Sequence, residues 1–348
     1  MIVGGGEWRT DDSAALQSEA SIWALDARKK GSAWTKLERS LPASVAFGVS
    51  IALEKGALWV GGSASSASSG DASPDGQPRA DRRTFFVGTN DDPGAWSAGP
   101  SLPEGRAFAC GARLGTRVYV ACGRNETGLV TQSLFVLDLA DPERRWAAGA
   151  SLPGVARANA IAGSRNGFFY VVGGEDASGT ALKDCWRFDG SSWTQIASLP
   201  VGRSAAPSPL LTVHGQLLLY GGDPDGSTGK AGASTQLDGL APDANTWIAW
   251  PELSKHRGPD PDRRPDLGSM PPLYAPVVTL DRFQVIVGGE IDGGAVTSKV
   301  ALFVAGDEDS SRALLMFGVL LVLAVLPTIL ALVYAFRVHA RRSARTNP

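Results

Sequence analysis

Phe169-Tyr170-Val171-Val172-Gly173-Gly174 is an apolar run closed by a glycine pair, and the same pattern returns along the chain. It stands at Ile2-Val3-Gly4-Gly5, Leu58-Trp59-Val60-Gly61-Gly62, Val118-Tyr119-Val120-Ala121-Cys122-Gly123, Leu218-Leu219-Tyr220-Gly221-Gly222 and Val285-Ile286-Val287-Gly288-Gly289. Short runs rich in Val, Ile, Leu and aromatic residues, bounded by glycine, read as buried strands. Their regular return marks a repeat architecture.

Outward from each run, the units share further marks. Small apolar segments such as Ala46-Phe47-Gly48-Val49 and Ala205-Ala206-Pro207 predict a strand a ahead of the glycine-ended strand b. Strand c follows, as in Ile22-Trp23-Ala24-Leu25-Asp26, Leu134-Phe135-Val136-Leu137-Asp138 and Cys185-Trp186-Arg187-Phe188-Asp189. Strand d centres on Trp34, Trp96, Trp146, Trp193 or Trp247, and Leu-Pro pairs at 41–42, 102–103, 152–153 and 199–200 lead into the next unit. Four strands per unit, at a spacing close to the kelch period of about 50 residues, predict an all-β, six-bladed kelch-type β-propeller over residues 1–305. Large aromatics would fill the wedges where blades diverge. The first unit opens in strand b and the sixth lacks strand d, so an upstream d-then-a segment is expected to complete both.

Composition agrees with a turn-rich β protein: of 348 residues, 42 are Gly and 22 Pro. A formal charge of -2 gives no sign of the basic face that nucleic acid requires. Cys110, Cys122 and Cys185 form no zinc framework. Cys110 and Cys122, on neighbouring predicted strands, are either a disulfide or two small buried thiols.

Residues 313–336, ALLMFGVLLVLAVLPTILALVYAF, carry no charge. At 1.5 Å per residue they reach about 36 Å, enough to span a hydrocarbon core of roughly 30 Å as a single transmembrane helix. An acidic linker, 306–312, precedes them, and a basic tail, 337–348, follows with Arg337, Arg341, Arg342 and Arg345. The positive-inside rule then places the tail in the cytoplasm and the propeller outside it, in the periplasm or at the cell surface. The opening MIVGGGEW is no signal peptide. Either an export signal stands upstream, or the propeller is cytosolic and tail-anchored.

In an up-and-down blade the b–c and d–a connections leave on one face. Glu7, Arg124, Glu175, Asp223 and Glu290 follow the glycine pairs; Arg106, Arg157 and Arg203 precede strand a. These acids and arginines are expected to ring one mouth of the central channel, beside insertions at 63–83 and 251–272. An arginine at the entry to strand a serves equally as a brace for the next blade, and a charge after a glycine pair as a partner for its turn.

The repeat order resembles the N-acetylneuraminate epimerases, or sialic acid mutarotases, in their cyclically permuted branch. Three stretches carry the resemblance: Val45–Ser50 through Leu58–Gly62, Ile2–Gly6, and Val287-Gly288-Gly289-Glu290 followed by Gly293-Gly294 and Thr297. It implies a base at Glu290. Two family arginines have no counterpart, at Val296 and at about Ser44.

Anomer interconversion of N-acetylneuraminate would make the chain a cofactor-independent isomerase. It needs a base for the anomeric hydroxyl and an acid for the ring oxygen, with no metal. Glu290 is the expected base and Glu175 the reserve acid or base. Arg157 and Arg203 are the expected anchors for the substrate carboxylate, with Arg106, Arg124 and Asp223 around them. The rival class is a non-catalytic extracytoplasmic module binding a glycan or a protein, and the two missing arginines favour it.

Overall fold

Strand b shows why the runs are apolar at every position. In Arg117–Ala121, Val118 and Val120 pack into a cluster shared with the preceding sheet, while Tyr119 and Ala121 join a cluster shared with the following one. Successive side chains of a strand face opposite ways, so such a run must be covered on both sides. The pattern repeats at Phe168–Val172, with Phe169 and Val171 on one side and Tyr170 and Val172 on the other. It repeats again at Gln216–Tyr220, with Leu217 and Leu219 opposed to Leu218 and Tyr220. Stacked sheets with five shared cores between consecutive members follow. Full burial of a side chain such as Phe169 contributes about 1.5–3 kcal/mol.

The computed structural model describes residues 2–4, 7–8, 17–18, 20–26, 33–63, 80–88, 92–213, 215–226, 234–241, 243–244, 246–250, 273–280, 283–291, 295–296 and 300–304. Residues Met1–Phe303 form one compact unit. The second unit, Val304–Pro348, lies almost wholly outside the described residues, and with it the expected linker, membrane helix and tail. Among the described residues no helix is long and apolar enough to cross a membrane. Most of both insertions also falls outside the description.

Four sheets have four antiparallel strands in the order a-b-c-d. Blade 2 is Val49–Leu53, Gly56–Val60, Thr84–Gly88 and Trp96–Ala98; blade 3 is Cys110–Leu114, Arg117–Ala121, Leu134–Asp138 and Trp146–Gly149. Blade 4 is Ile161–Arg165, Phe168–Val172, Cys185–Phe188 and Trp193–Ile196; blade 5 is Leu211–Val213, Gln216–Tyr220, Leu237–Leu240 and Trp247–Trp250. Blade 1 (Ile2–Gly4, Ser21–Ala24, Thr35–Ser40) and blade 6 (Val277–Leu280, Phe283–Val287, Val300–Val304) have three strands each. Two short hairpins, Glu7–Trp8 with Gln17–Ser18 and Glu290–Ile291 with Ala295–Val296, stand beside them.

In blades 3 to 5 the tryptophan of strand d staples the outer strand to the blade before it. Trp146 Nε1 donates to the Pro100 carbonyl (3.0 Å), Trp193 Nε1 to Ala150 (2.7 Å) and Trp247 Nε1 to Ala197 (2.9 Å). Each such bond contributes roughly 1 kcal/mol.

One expectation is corrected, and of the two readings of the cysteines the buried-thiol one holds. Strand a begins three to six residues later than the segments at Ala46 and Ala205 suggested, because those residues are taken by a turn. The cysteines form no disulfide: Cys110, Cys122 and Cys185 are free and buried. Cys110 Sγ lies 3.6 Å from the Ala121 carbonyl, and burial pushes the Cys122 and Cys185 thiols up to about 12.

Candidate functional site

The turn that displaces strand a builds the site. After five of the glycine pairs the described chain makes a two-bond backbone bridge to the residue entering the next turn. The pairs are Ser63 with Ala46, Arg124 with Ala107, Glu175 with Ala158, Asp223 with Ser204, and Glu290 with Leu273, all at N···O distances of 2.7–3.0 Å. Arg124, Glu175, Asp223 and Glu290 therefore occupy equivalent positions in blades 3 to 6, as the repeat predicted. Ser63 holds that position in blade 2.

The residue after each bridge partner turns left-handed. Phe47, Phe108, Asn159, Ala205 and Tyr274 have φ between 54° and 57°. They are linked blade to blade: the N–H of Phe108 donates to Phe47, Asn159 to Phe108, Ala205 to Asn159 and Tyr274 to Ala205, at 2.8–2.9 Å. A left-handed residue with a Cβ costs about 1–2 kcal/mol, which these inter-blade bonds offset. The turn brings three aromatics together: Phe47 stacks on Phe108 at 4.3 Å and meets Tyr274 edge-on at 5.7 Å.

Tyr274 ties the aromatics to the carboxylates. Burial first, then the charges of Glu175, Glu290 and Asp223, push its phenol well above the usual tyrosine range, with Arg124 opposing. Glu175 is 1% exposed; its Oε1 accepts from Asn159 Nδ2 (3.0 Å) and lies 3.7 Å from Arg124. Asp223 is also buried and accepts the Asp225 N–H at 2.8 Å; burial raises its pKa. Glu290 is half-buried at the start of its hairpin, in register with Val296. Arg124 is half-exposed and also donates to the Gly128 carbonyl (3.3 Å). The side chain of Glu7 lies outside the described residues.

The expectation that Arg106, Arg157 and Arg203 anchor a substrate is corrected. All three are buried and held inside the protein. Arg157 donates to both oxygens of Asp184 (2.9 and 2.6 Å) and to the carbonyls of Val155 and Gly173. Arg106 bonds Ser133 and the Gly105 carbonyl, pairs with Glu104 at 2.7 Å and lies over the Phe135 ring at 4.8 Å. Arg203 reaches the Gly202 carbonyl and Gln236 Oε1. Their carbonyls also accept the N–H of Gly62, Gly123 and Gly174 in the preceding blade. A Cβ on Gly61 or Gly173, both with positive φ, would drive into the Arg106 or Arg203 carbonyl. The glycine pair and the arginine are thus two halves of one inter-blade joint. In blade 2 the bridge Ala46–Ser63 puts Val45, not Ser44, at the arginine position.

Tyr274, Asn159 and the Phe47–Phe108 pair escaped the sequence reading. The signal that finds them is a fixed offset: Phe47, Phe108 and Asn159 stand two residues after Val45, Arg106 and Arg157, and Tyr274 two after Pro272, which holds the same position. Among the described residues no group of three or more His, Cys, Asp or Glu side chains is placed to hold a metal ion.

No family model matches the chain. A stretch of 129 residues is 29% identical to the N-acetylneuraminate epimerase of Pasteurella multocida, covering 35% of this chain and 33% of that protein. The chain resembles the N-acetylneuraminate epimerases. The Vibrio cholerae enzyme of that name is 30% identical over 132 residues, and a kelch domain-containing protein of the same organism 29% over 131. The match spans about a third of the length of these curated relatives. The solved structure of YjhT superposes with a TM-score of 0.65 at 15% identity, over 88% of this chain and 95% of that one. At that identity the likeness shows the fold, which is the one the repeats predicted.

Proposed function

We propose that this kelch propeller binds a small sugar at the mouth ringed by Tyr274, Glu290, Glu175, Asp223 and Arg124, and interconverts its anomers, with N-acetylneuraminate as the substrate. One observation carries the reading: Tyr274, 36% exposed, stands one residue from the backbone bridge that holds Glu290, in a chain similar to N-acetylneuraminate epimerases. Aromatic faces suit the apolar face of a sugar, and carboxylates its hydroxyls. Glu290, half-buried, takes the anomeric proton as base. Arg124 is the cation at this mouth that a substrate carboxylate would meet. The uncharged residues 313–336 tether the propeller, with its mouth on the extracytoplasmic side.

Exchange NMR of N-acetylneuraminate tests the chemistry. The wild type is expected to exceed the spontaneous rate and Glu290→Gln to fall back towards it; a wild type no faster than buffer sinks the reading. Protease digestion of the propeller in intact cells tests the orientation. A second reading, a non-catalytic glycan- or protein-binding module, is favoured by the internal use of Arg106, Arg157 and Arg203. It predicts saturable binding of a glycan or protein ligand with no change in anomer exchange.

A further inference from the structure

We propose that Tyr274 is the proton donor of this site, serving the ring oxygen of the sugar while Glu290 serves the anomeric hydroxyl. The proposal rests on the mutarotase reading above. That reaction needs two proton-handling groups, and the carboxylates leave the second role unfilled. Glu175 is 1% exposed, with Oε1 turned to Asn159 and Arg124. Asp223 is 7% exposed and tied to the Asp225 N–H. Tyr274 keeps 36% of its surface exposed at the same mouth.

Its position is fixed from three sides. Its N–H donates to Ala205 at 2.8 Å, and its ring meets Phe47 edge-on. Leu273, one residue before it, exchanges two backbone bonds with Glu290, at 2.8 and 2.9 Å. Donor and base are therefore presented by neighbouring backbone positions of one blade. The charged groups acting on the phenol are Glu175, Glu290, Asp223 and Arg124; burial and the three carboxylates outweigh the arginine and keep it protonated through neutral pH.

The cycle balances without a cofactor. Glu290 takes the anomeric hydroxyl proton, and the bond from the anomeric carbon to the ring oxygen breaks. Its electron pair goes to the ring oxygen, which takes the Tyr274 proton. The open-chain keto sugar then faces a phenolate and a protonated Glu290. After the carbonyl turns over, the phenolate recovers its proton from the sugar hydroxyl as that oxygen attacks, and Glu290 returns its proton to the carbonyl oxygen. The other anomer leaves.

The test measures N-acetylneuraminate anomer exchange by NMR on the full chain, comparing wild type, Tyr274→Phe, and protein carrying 3-fluorotyrosine at 274. Tyr274→Phe is expected to lower kcat by about 100-fold or more while KM moves little. The fluorinated ring, nearly isosteric but more acidic, is expected to stay active with an altered rate and an alkaline limb moved to lower pH. A Tyr274→Phe protein as fast as wild type overturns the proposal and leaves the mutarotase reading standing. A fluorinated protein indistinguishable from wild type in rate and pH profile assigns Tyr274 a structural role and overturns the proposal even if Tyr274→Phe is inactive. A wild type no faster than buffer overturns both.

Discussion

Two sets of charged residues recur at fixed places in successive blades of this propeller, and they have different fates. Arg106, Arg157 and Arg203 stand one residue before the bridge, and Arg124, Glu175, Asp223 and Glu290 stand on it. The first set turns into the joint between blades, where carbonyls and side chains take up its terminal nitrogens. The second set stands on the bridges themselves, and within it Arg124 and Glu290 keep partial exposure. A shift of one residue across the bridge separates a guanidinium spent inside the protein from a position whose side chain, at Arg124 and Glu290, still reaches the surface. Recurrence alone therefore does not identify a site; the backbone position decides.

The comparison breaks most sharply at Arg157. Arg157→Ala leaves the half-buried Asp184 carboxylate without its bidentate partner, and a loss of about 3–5 kcal/mol is expected by chemical denaturation. Glu290→Gln, on the other set, should leave the denaturation midpoint almost unchanged and lower anomer exchange about 100-fold or more. If Arg157→Ala were stable and Glu290→Gln unfolded, the division of labour would be reversed.

Acid titration sharpens the same contrast. Burial alone would raise the Asp184 carboxyl, but the hydrogen bonds from Arg157 and Trp186 outweigh it and lower its pKa in the folded protein. A depressed carboxylate contributes stability that is present above its unfolded value, about 4, and is lost as pH falls through its folded value. Wild-type stability should therefore fall below about pH 4, and Asp184→Asn, less stable at neutral pH, should fall less steeply there. Trp193→Phe removes the staple to Ala150, and a loss of about 1 kcal/mol is expected in the same denaturation experiment. The smallest effect belongs to the thiols. Burial raises all three, so at pH 8 a thiol reagent should leave them unmodified until the protein is unfolded.

The blades were legible in the sequence because strand b is apolar on both faces and strand d carries a tryptophan, which in blades 3 to 5 has the same hydrogen-bond duty. Both are consequences of stacking, and stacking repeats. The arginines were legible as positions but not as roles, since a guanidinium beside a turn can point either way and only Asp184, Ser133 and Gln236 decide it. Those partners stand 27 or 33 residues further along the chain. Strand a was placed too early because Ala46-Phe47-Gly48 has the composition of a strand while Phe47 has φ of 56°. Tyr274 was missed for a related reason: it follows the long insertion, where the Leu-Pro mark is absent, and its backbone conformation is one that composition gives little hint of.

That left-handed turn has one more consequence. The links from Phe47 to Phe108, Asn159, Ala205 and Tyr274 run through main-chain atoms alone. The five side chains at these places are two phenylalanines, an amide, a methyl and a phenol, yet the backbone is nearly the same at each. The hub works as a row of identical sockets wired by the backbone, into which different chemical heads have been fitted. A protein built this way can exchange the heads at its centre without rewiring the frame, so its ligand can drift through evolution while its architecture stays put.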